Sequence, residues 1–184
     1  PKIWCIIISW DTAAKAGSAN AYSACSIFGI CDGDKPGKYN RKIILLEVRR
    51  MKLEFPALVN FIERFPEEIR DKYRQYFTND CAQVETIIED ASSGTAIIQF
   101  LQSKGIRVRP IKSETDKETR LTGITHLLEN GTVLLPNQQN GDLVDFFDEL
   151  FKFPNSTFKD MVDSFSQGVR YIDDSYISGS RGYF

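Results

Sequence analysis

The sequence predicts an α/β domain: one mixed sheet, three antiparallel strands followed by parallel ones, flanked by helices. Two observations point to it. The first third of the chain carries three apolar, β-branched runs joined by turn-forming stretches, which is the pattern of a meander. Between Val84 and Ile111 a strand, a glycine-bearing loop, a helix, Gly105 and another strand succeed one another. That is a βαβ unit, and it demands parallel pairing.

The first strand is Ile3 to Trp10, apolar enough for the centre of a sheet, and it ends on Asp11. A small-residue loop, Thr12 to Asn20, leads to a second strand, Tyr22 to Cys31. Asp32 to Lys38 is a turn, and Ile43 to Met51 is the third strand. Gly37-Lys38 lies in that turn, but the glycine spacing is wrong for a phosphate-binding loop. From Phe55 the period becomes helical, with Pro56 at the start and Leu58, Phe61, Ile62 and Phe65 on one face. Pro66 is expected to interrupt this helix, with a second segment over Glu67 to Phe77.

Val84 to Glu89 is the fourth strand, and Thr95 to Lys104 a helix stopped by Gly105. Ile106 to Ile111 makes the fifth strand and Thr115 to Asn130 a charged helix. Val133-Leu134-Leu135-Pro136 is a short edge strand. Leu143, Phe146, Phe147 and Leu150 mark an amphipathic helix over Asp142 to Phe153. Asn155-Ser156-Thr157 offers a cap for the last helix, Phe158 to Tyr171. One domain, residues 1–172, is therefore expected. The aperiodic stretch 173–184 is expected to be a mobile tail.

Composition narrows the function classes. Of 184 residues 42% are hydrophobic and 26% charged, ordinary for a globular domain. No apolar run approaches the roughly 20 residues of a membrane span, and no signal peptide opens the chain, so no membrane partner is expected. The chain begins at Pro1, within a strand and without methionine, which suggests a piece of a longer protein. The net charge of −2 excludes a strongly basic nucleic-acid binder but leaves room for a local basic groove. Cys5, Cys25, Cys31 and Cys81 form no CxxC pair and read as free thiols in a reducing compartment. His126 is the single histidine, which leaves little for a histidine-based nucleophile system.

The order of elements fits the ribonuclease H-like arrangement, in which the first and fourth strands are neighbours. Asp11 ends the first, and Glu89-Asp90 end the fourth. Asp160 and Asp163, three apart on one helix face, can approach from the last helix. Carboxylates sharing one spot repel unless cations neutralise them, and hard Mg²⁺ or Mn²⁺ suits oxygen ligands. Taken singly, each acid has a plainer role: Asp11 as a turn cap, Glu89-Asp90 as strand-end polarity, Asp160 and Asp163 as partners of the helix dipole. Together they make a candidate site.

These motifs resemble the C-terminal nuclease domain of the large terminase subunit, the DNA-packaging motor of tailed bacteriophages. The resemblance runs from Trp4 to about Tyr171. It is carried by Ser9-Trp10-Asp11, by Ile87-Ile88-Glu89-Asp90-Ala91-Ser92-Ser93-Gly94 and by Lys159-Asp160-Met161-Val162-Asp163-Ser164, with Leu127 to Val133 as supporting texture. It implies a metal-dependent endonuclease that cuts concatemeric viral double-stranded DNA by two-ion phosphodiester hydrolysis. Asp11 matches the ligand bridging both ions. Glu89, five before Gly94, is preferred to Asp90 as the second ligand, and Asp160 and Asp163 match the acids of the last helix. Where the family often has His-Asp-Asp, this chain has Phe158-Lys159-Asp160, a departure that removes one acid. The resemblance further implies an N-terminal packaging ATPase in the full-length protein, portal and small-subunit partners, and the cytoplasm of an infected bacterium.

Cations must draw DNA to such an acidic site. Lys112, Lys117 and Arg120 are the favoured phosphate contacts because they follow the fifth strand, near the acids. Arg49, Arg50, Lys52, Lys104, Arg107 and Arg109 are further candidates. Three rivals remain at this point: a catalytically weak ribonuclease H-like module that only binds DNA or protein, a Holliday-junction resolvase-like nuclease, and half of an actin-like ATPase. The last requires a second Asp-x-Gly phosphate loop, and none is present.

Overall fold

Strand β1 (Ile3–Asp11) occupies the middle of the sheet because nearly every residue in it is apolar and buried from both sides. It pairs antiparallel with β2 (Ser23–Asp32), which pairs antiparallel with β3 (Arg41–Met51). On the other side β1 pairs parallel with β4 (Gln83–Glu89), and β4 with β5 (Arg109–Ile111). A short β6 (Val133–Leu134) lies parallel to β3, giving the order β5-β4-β1-β2-β3-β6. The meander and the switch to parallel pairing are those expected. The computed structural model describes residues 2–13, 22–33, 40–78, 83–112, 116–137 and 141–178. The turn over Asp34 to Lys38, Cys81 and most of the loop after Ala13 lie outside them. Cys5, Cys25 and Cys31 are buried free thiols.

Helices cover both faces. On one lie α1 (Phe55–Tyr73) and α2 (Ser93–Ser103). They bury Ile6, Ile8 and Trp10 of β1 against Leu58, Ile62, Phe65, Ile97 and Leu101. On the other lie α3 (Lys117–Glu129), α4 (Asp142–Lys152) and α5 (Asp160–Ile172), over Cys5, Ile7, Phe28, Leu45 and Ile87. Side chains leave a strand alternately, so β1 feeds both cores, each buried aliphatic or aromatic residue adding about 1.5–3 kcal/mol. Helix α5 packs across β1, β2 and β3 and against α3 and α4. Among the described residues no helix is long and apolar enough to cross a membrane.

Four elements depart from expectation. Helix α1 runs through Pro66, because Leu58, Val59, Ile62, Phe65 and Ile69 continue one buried stripe across it. That burial outweighs the lost backbone hydrogen bond. Strand β5 begins at Arg109 rather than Ile106. Gly105 (φ +75°) and Ile106 close α2 instead, their N–H groups donating to the Gln102 and Leu101 carbonyls in a Schellman cap. Helix α5 starts at Asp160, two residues later than expected, and without a cap from its own entry segment. At the other end, residues 173–177 continue α5 as a π-helical turn. There Tyr176 is buried, its ring 5.8 Å from Trp4 and its hydroxyl donating to Glu85 Oε2 at 2.7 Å. The stretch 179–184 lies outside the described residues.

Candidate functional site

Asp11 is the last residue of β1 and Glu89 the last of β4. The two strands run parallel with Trp10 opposite Ile88, so both carboxylates leave the same end of the sheet side by side. Alternation sets their direction. Cys5 and Ile7 pack in the α3/α4/α5 core and Ser9 bonds to Gln167 of α5, so Asp11 is in phase with that face. On β4, Glu85 bonds to Tyr171 and Ile87 lies in the same core, which puts Glu89 in phase too. Asp90 falls beyond the strand and is exposed, its carboxylate accepting from Thr95 Oγ1 at 2.7 Å.

Asp160 and Asp163 open α5, where their negative charge complements the helix N-terminus. Asp163 is 1% exposed. Its Oδ2 is ion-paired with Lys117 Nζ, from the first turn of α3, and the same ammonium lies 3.9 Å from Asp11 Oδ2. One turn along α3, Arg120 reaches Glu89 Oε1 at 3.2 Å. Helix α3 is aimed by its own cap, Asp116, which accepts from the Thr119 N–H at 2.9 Å. Four distant segments thus bring acids and cations to one sheet end.

Burial is the main force on the acids. It pushes the Asp11 carboxyl up to about 7; Asp163, Glu89 and Asp160 push the same way and Lys117 opposes them. Burial likewise raises Asp160 and Asp163 above the usual carboxylate range, against Lys117. Burial alone would lower Lys117, but its hydrogen bond to Asp163 and the charge of Asp11 raise it. Asp163 Oδ1 is buried with no hydrogen-bond partner, an acceptor left open on a charged group. Oxygen-only donors with such an acceptor fit a hard divalent cation. As the side chains stand, no three His, Cys, Asp or Glu among the described residues are gathered around one point, and Lys117 lies between Asp11 and Asp163.

The loop after Glu89 is tightly made. A Cβ on Gly94 would lie 2.0 Å from the Glu89 carbonyl oxygen, so only glycine lets α2 begin there. Ser93 Oγ donates to the Thr12 carbonyl at 2.7 Å, tying that loop to the end of β1.

The family model described as the terminase RNaseH-like domain matches residues 8–170. The chain belongs to that family. Its RNase H-like fold recurs in the zinc-bound large terminase nuclease of thermophilic phage G20c, at 18% identity and TM-score 0.60. That match covers 92% of this chain and 84% of the phage one. The manganese-soaked terminase nuclease domain of human cytomegalovirus is 9% identical, with 94% and 84% covered and a TM-score of 0.59. The large terminase of another thermophilic bacteriophage is 13% identical at TM-score 0.56; 92% of this chain matches only 40% of that one. No curated protein matches the sequence.

In this terminase domain the cations stand differently from expectation. Arg120, expected on DNA phosphates, has a side chain only 7% exposed and turned onto Glu89. Lys117 is half-exposed but tied to Asp163 and Asp11. Lys112 lies exposed just past β5. Arg49 and Arg50 pair with Glu47, Glu68, Asp145 and Glu149; Lys104 pairs with Glu63 and Arg109 with Glu85. Sequence reasoning missed these internal pairings. The signal for Arg120 and Lys117 was their i, i+3 spacing on the helix leaving β5, beside four uncompensated acids.

Proposed function

We propose that this terminase domain is a nuclease that cuts viral double-stranded DNA during genome packaging, using Mg²⁺ or Mn²⁺ held by Asp11, Glu89, Asp160 and Asp163. The observation that carries the reading is Lys117: one ammonium bridges Asp11 and Asp163, so the cluster already organises itself around a cation. Two divalent ions in place of that single charge would activate the attacking water and stabilise the leaving 3′-oxygen. The chain's own residues do the rest. Asp11, on the central strand, would be the ligand shared by the two ions. Arg120 fixes the Glu89 carboxylate from its buried side. Lys117, half-exposed, would be available to a substrate phosphate once Asp11 and Asp163 are otherwise satisfied, and Lys112, exposed just past β5, is a second candidate. Such contacts read the backbone, so cleavage has little sequence preference. An N-terminal packaging ATPase, the portal and the small terminase subunit are the proposed partners, and the infected bacterial cytoplasm the proposed location.

A supercoiled and a linear plasmid incubated with Mn²⁺, Mg²⁺ or EDTA test this reading. Degradation of both with either metal, abolished by EDTA, is the expected result. Intact plasmid at high protein concentration with Mn²⁺ would replace it with the DNA- or protein-binding module; cleavage confined to four-way junctions would replace it with the resolvase.

A further inference from the structure

Helix α5 carries two of the four acids, yet its entry supplies no side-chain cap. The first N–H groups of a helix have no partner within it, and a buried one left open is costly. Here the partner comes from another helix. Glu149, in the third turn of α4, accepts the backbone N–H groups of Met161 and Val162 on Oε2, at 3.2 and 3.4 Å. Its other oxygen accepts from Arg50 Nη1 at 2.6 Å. Arg50 in turn holds Asp145 at 2.8 Å and lies over the Phe158 ring at 4.6 Å, on the segment entering α5. Glu149 is 4% exposed, and the Arg50 side chain 14%.

A carboxylate here is chemically informative. A buried charge needs a counter-charge and hydrogen bonds on both oxygens, and Glu149 has each. It also sits close enough to Asp160 for the two to repel. An apolar residue on this face of α4 would pack without that repulsion, but would leave the Met161 and Val162 donors without an acceptor. The negative charge also favours the positive end of α5, and burial strengthens the interaction.

We propose that Glu149 is a positioning residue that caps α5 from the neighbouring helix, with Arg50 as its counter-charge, and so holds Asp160 and Asp163 against the end of β1. The inference rests on the reading of those two acids as site residues, but its first test does not need metal. Backbone amide exchange is followed in the metal-free wild type, Glu149→Ala and Glu149→Gln, and Mn²⁺ affinity is then measured by paramagnetic resonance.

In Glu149→Ala, exchange at Met161 and Val162 should accelerate about tenfold or more, the expected loss of hydrogen bonds to a charged acceptor. Phe165 and Val169, deeper in the helix, should stay within about twofold. Mn²⁺ binding should weaken about tenfold, as when groups supporting metal ligands are removed. Glu149→Gln keeps an acceptor oxygen and should restore protection at Met161 and Val162 to within about threefold of wild type. Unchanged exchange at those two amides in Glu149→Ala overturns the proposal. So does uniform acceleration along α5, which marks a merely structural role, and so does wild-type Mn²⁺ affinity beside a lost cap. Should Glu149→Ala not fold, Glu149→Gln decides: retained protection supports the cap, and loss at Met161 and Val162 overturns it. Wild type that binds no Mn²⁺ would sink the metal reading and with it the purpose of the cap, while the exchange pattern would still show whether the cap exists.

Discussion

Gln167 joins α5 to β1 by donating its side-chain amide to Ser9 Oγ at 3.1 Å and to the Trp10 carbonyl at 3.3 Å. It lies one turn beyond Asp163, and its acceptors lie one and two residues before Asp11. The distance between the two acids is therefore set by a buried polar clasp. Gln167→Leu, of similar size, should lower stability by about 1–2 kcal/mol in urea denaturation, because Ser9 loses a buried partner. It should also weaken the Mn²⁺-induced rise in melting temperature. An unchanged midpoint and an unchanged metal response would show that packing alone sets the distance.

The acids should rank by position. Asp11→Asn should cut plasmid cleavage by about a hundredfold or more, with Glu89→Gln next. Asp90→Asn should keep most activity, since Asp90 is exposed and engaged with Thr95. Asp160→Asn and Asp163→Asn should each leave weak activity and the double change none. Rates are measured on variants whose circular dichroism matches wild type. A dead Asp90→Asn beside an active Glu89→Gln would reverse the assignment of the second ligand.

Without metal, the site should make stability depend on pH. The Asp11 carboxyl is raised to about 7 in the folded protein, against an ordinary value near 3.8. Between those values the unfolded chain has lost this proton and the folded chain still holds it. The folded state binds more protons, so stability falls as pH rises from about 4 to 7, on the order of 3 kcal/mol. Asp160 and Asp163, also raised, act in the same direction. Chemical denaturation in EDTA across that range should show the fall, and Asp11→Asn should flatten it. A wild-type profile that rises over the same window would contradict the buried, mutually repelling cluster.

Gly168 sets how near α5 comes to the sheet. A Cβ there would lie 2.3 Å from Phe28 Cε2 and 2.9 Å from Ser9 Cβ. Gly168→Ala should destabilise by about 1–3 kcal/mol through overpacking. Adding Phe28→Leu should recover part of the loss, a coupling measurable in a double-mutant cycle. Additive losses would show that the helix has room to shift.

The strands were legible in the sequence because burial on two faces demands continuous apolar runs. The site's scaffold was legible because Asp11 and Glu89 interrupt such runs at their ends. What escaped was polar and tertiary. Pro66 looked like a break because local propensity carries no record of the buried stripe passing through it. Arg120 and Arg50 looked like surface cations because their acids lie far along the chain, and charge alone does not say which cation turns inward. Glu149 sits in a helix whose other acids, such as Asp145 and Asp148, are exposed at 58% and 60% of their side chains. Nothing in its spacing distinguishes the one that caps α5.

The sheet places β1 between β2 and β4, while α5, packed over β1 and β2, follows every strand in sequence among the described residues. A chain emerging from the ribosome presents Asp11 more than a hundred residues before Asp163. Until α3 and α5 dock, the strand-end acids have neither their cations nor the helix that closes over them. Contacts of such long sequence separation form late. The proposed DNA-cutting centre is thus incomplete until its most distant element is in place, and completing the fold is what arms it.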